Sequence, residues 1–287
     1  MKPLVSVNLC ARNEEQYIKG CLDSLLSQTF KDFEIIIVDD ASLDRTLEII
    51  RTFSDARVKC FKNIERIGVP KSRNLAIKYS AGEYIFFTDA DCIVKKNWIE
   101  EGLRCLEAGY VGVEGRLIYV SENYQPTFST RFMEINSGGH YITGCVAYRK
   151  DMILAAGAFN EKINYNTDRD LGLKISKFGR VCFNKEMIAI HPLVRKTPLS
   201  LLKSASHIES RVYLFKTFRD AEFISGRVVN PFNLATIFFP GSILIMLFIR
   251  KFKRREDYAL LPFLYPFAVL ERIYMWKASV KYRVFLI

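Results

Sequence analysis

The sequence predicts an α/β domain with a mixed, mainly parallel sheet, followed by a basic and apolar C-terminal region. The first half alternates short runs of β-branched residues with segments of helical periodicity, which is the pattern of βαβ units. The 287 residues are 49% hydrophobic and 25% charged, so the chain has enough apolar material for a sizeable core. A disordered or collagen-like chain is therefore excluded.

Each predicted element follows from local periodicity and composition. Strands are expected at 4–10, 33–38, 58–61, 84–88, 110–113 and 181–190. Helices are expected at 13–28, 43–53 and 69–79. Asn13 is the expected N-cap of the first helix, because its side chain can accept a hydrogen bond from a first-turn amide.

Charge divides the chain near residue 192. Residues 1–192 carry 26 basic and 25 acidic side chains, whereas residues 193–287 carry 16 basic and 6 acidic ones. A near-neutral body with a basic tail argues against a nucleic-acid-binding core and favours a tail that meets an anionic membrane surface. We therefore predict no nucleic-acid partner.

Polar clusters end three of the predicted strands, where ligands of open α/β sheets bind. These are Arg12-Asn13-Glu14, Asp39-Asp40 and Asp89-Ala90-Asp91. Two carboxylates separated by one small residue can reach the same divalent cation, which predicts Mn²⁺ or Mg²⁺ at Asp89 and Asp91. Asp40 is placed to accept hydrogen bonds from a nucleotide base.

In this order the motifs resemble those of the inverting glycosyltransferases of family 2, which have the GT-A fold. The donor-half motifs are Val5-Ser6-Val7 with Arg12-Asn13-Glu14-Glu15, Ile37-Val38-Asp39-Asp40-Ala41-Ser42-Leu43-Asp44, Gly68 with Ser72-Arg73-Asn74, and Gly82-Glu83-Tyr84-Ile85 with Asp89-Ala90-Asp91. The acceptor-half motifs are Gly144 with Tyr148-Arg149-Lys150, Gly157-Ala158-Phe159-Asn160-Glu161, and Asp168-Arg169-Asp170-Leu171. The resemblance spans roughly residues 4–192 and implies a GT-A catalytic domain.

The resemblance also implies which residues bind the nucleotide-sugar donor. Ala11, Glu14 and Asp40 would line the base and ribose, Asp89 and Asp91 would face the metal and diphosphate, and Lys71, Arg73 and Arg116 are candidates for the diphosphate charge. Two positions depart from the family pattern. Arg12 replaces a frequent aromatic residue in the nucleotide-binding segment, and Thr167 replaces a frequent glutamate before the catalytic aspartate.

An inverting transfer needs a carboxylate that takes the proton of the acceptor hydroxyl. Asp168 is the expected base, and Asp170 is the alternative, which is better explained as a carboxylate at a helix start. His191 follows the last predicted strand, where it either completes the metal site or is simply hydrogen-bonded.

Other functions leave different sequence signatures. The chain has no G-x-G-x-x-G after its first strand and no Walker loop, which disfavours a nicotinamide or P-loop enzyme. It also lacks the Q-x-x-R-W element of processive polysaccharide synthases, so we expect a single-addition hexosyltransferase acting on a lipid-linked or glycan acceptor. The alternatives are a polyprenyl-phosphate sugar synthase and a catalytically silent membrane scaffold with a GT-A body.

The tail is expected to place the enzyme at the membrane. Residues 197–219 show an amphipathic basic pattern, which fits either a membrane-surface helix or a helix packed on the catalytic domain. Uncharged stretches of 19 residues (231–249) and 13 residues (258–270) follow. We therefore expect three regions: a GT-A domain (1–192), a basic helical linker (193–230) and a hydrophobic membrane-associated hairpin (231–287).

Topology favours a hairpin in the cytosolic leaflet over two transmembrane helices. Basic residues flank both uncharged stretches and fill the connector 250–255, so every polar stretch prefers the same, cytosolic side. The seven cysteines form no C-x-x-C pair, as is typical of a reduced cytosolic domain. The expected location is the cytosolic face of the cell membrane.

Overall fold

The computed structural model describes residues 2–120, 134–193, 197–218 and 255–284. They fall into two compact units, one made of 2–120 and 134–192, the other containing 197–218 and 255–284. The uncharged stretch 231–249 and the basic connector 250–254 lie outside the described residues.

Four parallel strands form the first half of a nine-stranded sheet. They are β1 (Val5–Ala11), β2 (Phe33–Asp39), β3 (Val58–Lys62) and β4 (Tyr84–Phe87), in the order β3-β2-β1-β4. Helices α1 (Ile18–Leu26), α2 (Thr46–Arg51) and α3 (Val69–Tyr79) connect them. The βαβ pattern predicted from the sequence is confirmed here.

The second half of the sheet is mixed. It contains β5 (Ile93–Val94), β6 (Gly112–Val120), β7 (Glu134–Ile135), β8 (Val146–Arg149) and β9 (Val181–Pro192). It also contains α4 (Trp98–Glu107), α5 (Lys150–Ala155) and α6 (Thr167–Ile175). Beyond β4 the strand order is β8-β6-β9-β5, with β8 antiparallel to both neighbours, β6 parallel to β9, and β7 paired with β6.

The core of this unit covers both faces of the sheet, because successive strand side chains point to opposite faces. On β4, Phe86 packs in the cluster that includes Trp98, and its neighbours Ile85 and Phe87 pack in the cluster that includes Phe159. Burial on both faces explains why the central strands read as nearly continuous apolar runs.

The first helix begins later than the sequence pattern predicts, so the expected cap at Asn13 is wrong. Asn13 has a left-handed backbone (φ 58°), and its Oδ1 accepts a hydrogen bond from the amide of Leu43 at 2.8 Å. The segment 12–17 is therefore a turn tied to the loop after β2, and α1 starts at Ile18. The carboxyl end of β1 is therefore followed by a loop and not directly by a helix.

The second unit is helical where it is described. It contains α7 (Pro198–Ser204), a 3₁₀ turn (Ala205–His207), α8 (Ile208–Thr217), α9 (Arg255–Tyr258) and α10 (Leu261–Tyr282). Five apolar positions define the amphipathic pattern: Leu201, Ala205, Ile208 and Val212 are buried, and Phe215 is half-buried. Among the described residues, none of the helices has the length and apolarity that a bilayer crossing requires.

Candidate active site

The carboxyl ends of β1, β2 and β4 meet at one edge of the sheet and carry the three polar clusters. Ala11, at the end of β1, pairs with Asp39 at the end of β2, and β4 is the parallel neighbour on the other side of β1. Glu14 and the carboxylates of Asp89 and Asp91 interact electrostatically. The structure therefore brings together clusters that are up to 79 positions apart in the chain.

Asp89 is held by an arginine from α3. Nη2 of Arg73 donates a hydrogen bond to Oδ1 of Asp89 at 3.0 Å, and the Arg73 guanidinium lies 5.5 Å from the ring centre of Phe159. The Arg73 side chain is mostly buried, whereas that of Asp89 is 31% exposed. One carboxylate oxygen of Asp89 is thus fixed by the protein.

Asp91 is paired with a histidine from β9. Oδ2 of Asp91 lies 3.3 Å from Nε2 of His191, and Nδ1 of His191 lies 2.7 Å from the carbonyl oxygen of Pro192. Because a carbonyl only accepts hydrogen bonds, Nδ1 carries the hydrogen there, and the lone pair of a neutral imidazole then faces Asp91. A lone pair facing a carboxylate requires a proton or a cation between them.

These residues fit a divalent cation. Donor atoms of Asp89, Asp91, Cys92 and His191 lie within 4.8 Å of one another, and Oδ1 of Asp91 is buried with no hydrogen-bond partner in the described structure. Burial raises the pKa of the Cys92 thiol well above its usual value. Thiol sulfur suits softer metals, so the two carboxylates and the imidazole are the residues that could hold a cation such as Mn²⁺ or Mg²⁺.

Glu14 lies near the same carboxylates, and Arg12 lies two residues before it in the chain. Burial, followed by the charges of Asp91 and Asp89, raises the pKa of Glu14 to about 7. Nη1 of Arg12 is buried, and no described residue bonds to it. Glu14 at its raised pKa can donate a hydrogen bond to a ligand, and Nη1 of Arg12 has a donor left for one.

Asp40 organises the loop before α3. Its Oδ1 accepts hydrogen bonds from the amide of Ile67 (2.8 Å) and from Nδ2 of Asn63 (3.0 Å), and its Oδ2 accepts from the amide of Gly68 (3.0 Å). Burial raises the pKa of Asp40, but these donors outweigh it, so the pKa lies below its usual value. Asp40 is therefore an ionised anchor of the 67–68 loop, with remaining acceptor capacity on Oδ2.

The two aspartates at the start of α6 have different environments. Burial raises the pKa of Asp168, and the charge of Arg73 opposes this rise. Asp170 is fully buried and pairs with Nζ of Lys174 at 2.6 Å, one turn along the same helix. Asp168 thus belongs electrostatically to the site around Arg73, and Asp170 has a local structural partner.

Lys71 and Arg116, which were also predicted to bind the diphosphate, have no contact with the carboxylates at the strand ends among the described residues. Lys71 is exposed on α3, and no described residue forms an ion pair with it. Arg116 forms an ion pair with Glu134 across the β6–β7 ladder. The structure therefore links Arg73, but neither of these two, to the carboxylates at the strand ends.

Two residues that the sequence did not single out make contacts of interest, one with the 139–141 turn and one with the site. Glu114 is buried in β6 and accepts backbone hydrogen bonds from Gly139, His140 and Tyr141. Tyr119 lies opposite His191 in the β6–β9 register, with ring centres 4.7 Å apart. An acidic residue inside an apolar strand is a signal that points to Glu114, whereas no local pattern indicates Tyr119.

The fold and the grouped carboxylates are those expected of a glycosyltransferase, and comparison with known proteins supports this class. The family model "Glycosyl transferase family 2" matches residues 6–159. The chain therefore belongs to glycosyl transferase family 2.

Individual relatives cover different parts of the chain. A region of 88 residues is 44% identical to UDP-Glc:alpha-D-GlcNAc-diphosphoundecaprenol beta-1,3-glucosyltransferase WfaP of Escherichia coli, and covers 31% of this chain and 35% of WfaP. The chain spans about a third of the length of this and other curated relatives that it matches.

Two solved structures share the fold over nearly the whole chain. One is S. aureus TarS 1–349 in complex with UDP-GlcNAc, with a TM-score of 0.60, 21% identity, and coverage of 99% of this chain and 91% of that one. The other is the mannosyltransferase PcManGT from Pyrobaculum calidifontis in complex with GDP-Man and Mn²⁺, with a TM-score of 0.62, 18% identity, and coverage of 99% and 88%. At this identity the likeness shows the GT-A fold.

Proposed function

We propose that this family 2 glycosyltransferase is an inverting, cation-dependent hexosyltransferase. It moves one sugar from a UDP- or GDP-linked donor to a hydroxyl of a lipid-linked or glycan acceptor at the cytosolic face of the membrane. The observation that carries the proposal is that Arg73 bonds to Asp89 and acts electrostatically on Asp168. Asp91, two residues after Asp89, pairs with His191. These contacts support a cation-binding donor set and a carboxylate base in one site.

The comparisons support the classes of donor and acceptor. UDP-GlcNAc and GDP-Man are bound by two proteins of the same fold, and the second also binds Mn²⁺. WfaP, which resembles this chain over 88 residues, is named for a sugar acceptor carried on diphosphoundecaprenol. A lipid-linked acceptor also suits the basic charge of residues 193–287.

The chain's own residues account for the proton transfer. Asp168 takes the proton of the acceptor hydroxyl as that oxygen bonds to the anomeric carbon and the bond to the nucleoside diphosphate breaks. Burial raises the pKa of Asp168, which makes its carboxylate a stronger proton acceptor than an exposed one. Asp89, Asp91 and His191 would hold the cation, which when bound neutralises the charge of the departing diphosphate.

The base separates the proposal from a polyprenyl-phosphate sugar synthase. A phosphate acceptor is already ionised at neutral pH and needs no proton removed before it attacks. Removing the base therefore penalises a hydroxyl acceptor far more than a phosphate acceptor. The test therefore compares a hydroxyl acceptor with a phosphate acceptor.

The test screens UDP- and GDP-sugars with purified full-length chain, with and without Mn²⁺, using undecaprenyl-diphosphate-linked GlcNAc and undecaprenyl phosphate as acceptors. We expect cation-dependent transfer to the first acceptor, lost in Asp168→Asn and kept in the control Asp151→Asn, whose carboxylate is exposed at the start of α5. Transfer to undecaprenyl phosphate that survives Asp168→Asn would favour the synthase. Failure to bind or hydrolyse any donor would favour a silent scaffold.

A further inference from the structure

Helix α10 carries a stripe of exposed or half-buried apolar residues along almost its whole length. The stripe consists of residues three or four positions apart, which therefore lie on one face of the helix: Pro262, Tyr265, Val269, Ile273, Trp276 and Val280. Trp276 is 54% exposed and Val280 is 81% exposed. We call this face the α10 stripe.

The opposite face of α10 already supplies the packing of the second unit. Leu264, Ala268, Met275 and Ala278 are buried, and α10 lies against α7 and α8. Across the same contact, Nζ of Lys281 pairs with Glu209 at 2.6 Å. Among the described residues of this unit, the α10 stripe is therefore not part of the packing against α7 and α8, and much of its apolar area is exposed.

Basic residues border the α10 stripe. The Arg272 guanidinium lies 5.3 Å from the ring centre of Trp276, and Lys277 and Arg283 are exposed. Glu271 is the single acidic residue of α10; its side chain is only 13% exposed and lies 4.0 Å from Arg211 of α8. The exposed face therefore combines apolar and aromatic groups with positive charge.

We infer that the α10 stripe is a membrane-binding face that lies in the surface of an anionic phospholipid bilayer, parallel to its plane. Tyr265 and Trp276 suit the interface, where aromatic side chains meet the headgroups. The stems of Lys277 and its basic neighbours can bury their methylenes while their charges reach lipid phosphates. The inference deepens the proposed function, since it assigns that enzyme's membrane contact to one helix face.

Charge favours lipid over a second copy of the chain. In a symmetric dimer the α10 stripe of one copy would meet the same stripe of the other, so the interface would gather Lys277 and Arg283 of both copies, with no carboxylate of α10 on that face to compensate. An anionic bilayer offers phosphate to every one of these cations. The charge around the α10 stripe is therefore complementary to anionic lipid, whereas two copies of this face would repel each other.

The first experiment measures binding of the full-length chain to vesicles of phosphatidylcholine alone and with phosphatidylglycerol. We expect Ile273→Glu/Trp276→Glu to lower the partition coefficient more than about tenfold, because each change places a charge where apolar burial is needed. The control Leu154→Glu, at a residue that is 58% exposed on α5 in the other unit, should bind like wild type. Lys277→Gln should lose about fivefold on anionic vesicles and little on neutral ones.

A second readout reports the site of contact directly. The chain has two tryptophans, Trp98, which is fully buried, and Trp276. Vesicles of brominated phospholipid should therefore quench Trp276 selectively, and Trp276→Phe should remove the quenching while leaving circular dichroism unchanged. Equal quenching in wild type and Trp276→Phe would overturn the inference.

The outcomes separate this inference from the proposed function. Donor hydrolysis is measured on the wild-type chain without vesicles, so a chain that binds vesicles through the α10 stripe but hydrolyses no donor would refute only the proposed function. Vesicle binding that is unchanged in Ile273→Glu/Trp276→Glu would refute the inference alone. A dimer in light scattering that this double variant converts to a monomer, with vesicle binding unchanged, would assign the stripe to a second copy instead.

Discussion

Arg73 donates a hydrogen bond to Asp89 and so connects helix α3 with the expected cation site. The 3.0 Å hydrogen bond between them joins α3 to the segment after β4. The same guanidinium lowers the pKa of Asp168, against the effect of burial. Arg73 therefore stabilises negative charge both at the expected cation site and at the proposed base.

Replacing Arg73 should damage donor turnover without unfolding the protein. Arg73→Gln removes a charge-assisted hydrogen bond worth about 1.5–3 kcal/mol, so kcat/KM for donor hydrolysis should fall about 10- to 100-fold. The measurement is steady-state hydrolysis, with the thermal midpoint as a folding check. Arg45→Gln is the matched control, because the Arg45 side chain is 74% exposed. Equal losses in both variants would contradict a specific role for Arg73.

The pair of Asp91 and His191 should determine cation affinity. Asp91→Ala and His191→Gln each remove one expected donor, so Mn²⁺ affinity should fall at least about tenfold in each. Free Mn²⁺ is counted by electron paramagnetic resonance, which needs no turnover. Asp151→Ala serves as the control, and wild-type turnover should stop in excess chelator. Unchanged Mn²⁺ binding in both variants would show that Asp91 and His191 do not bind the cation.

Much of the first half of the fold follows from the sequence alone. Helix α3 occupies the predicted range, and β1 to β4 lie within two residues of their predicted ends. The reason for β1, β2 and β4 is that buried parallel strands are apolar runs. The second half is less predictable, since β8 pairs with β4 and β6 through contacts far apart in the chain. The turn at Asn13 also depends on a distant partner, Leu43.

The site, like the fold, was predictable where it depends on local sequence and unpredictable where it depends on contacts between distant residues. The rule that ligands bind at the carboxyl ends of strands was enough to group Glu14 with Asp89 and Asp91. It could not reveal that Asp40 is already engaged by the 67–68 loop, or that Arg116 is paired with Glu134. The first fact depends on which loop lies across the strand end, and the second on which strand pairs with β6. The charge pattern of one strand encodes neither.

Replacing Asp168 with asparagine should lower activity, whereas the same replacement of Asp170 should lower stability. Asp168→Asn should keep donor binding but lower transfer to a hydroxyl acceptor by about 10²–10⁴. Asp170→Asn should chiefly affect stability, because it breaks the buried pair with Lys174. Donor affinity by calorimetry, transfer rate and denaturant midpoint are measured for both. A silent Asp168→Asn together with an inactive but stable Asp170→Asn would assign the base to Asp170.

A buried carboxylate distant from the proposed chemistry ties three strands of the sheet to a turn. Glu34 on β2 is 3% exposed, and accepts hydrogen bonds from Oγ of Ser6 (2.7 Å), the amide of Ala81 (2.6 Å) and Nζ of Lys59 (2.7 Å). Burial raises the pKa of Glu34, but these donors outweigh it and hold the pKa below its usual value. The folded state therefore favours the ionised form of this residue.

The stability that Glu34 provides should depend on pH in one direction. Because its pKa is lower in the folded than in the unfolded chain, its contribution is complete above the unfolded value, near 4.5, and is lost as the pH falls through the folded value. Glu34→Gln should therefore lower the free energy of unfolding by about 1–3 kcal/mol at pH 7, and by progressively less below pH 4.5. Urea unfolding at a series of pH values measures this, with Asp23→Asn as the control, because both side chains of the Lys19–Asp23 pair are exposed. A difference between Glu34→Gln and wild type that stays constant down to pH 3 would show that the ionised carboxylate is not the stabilising form.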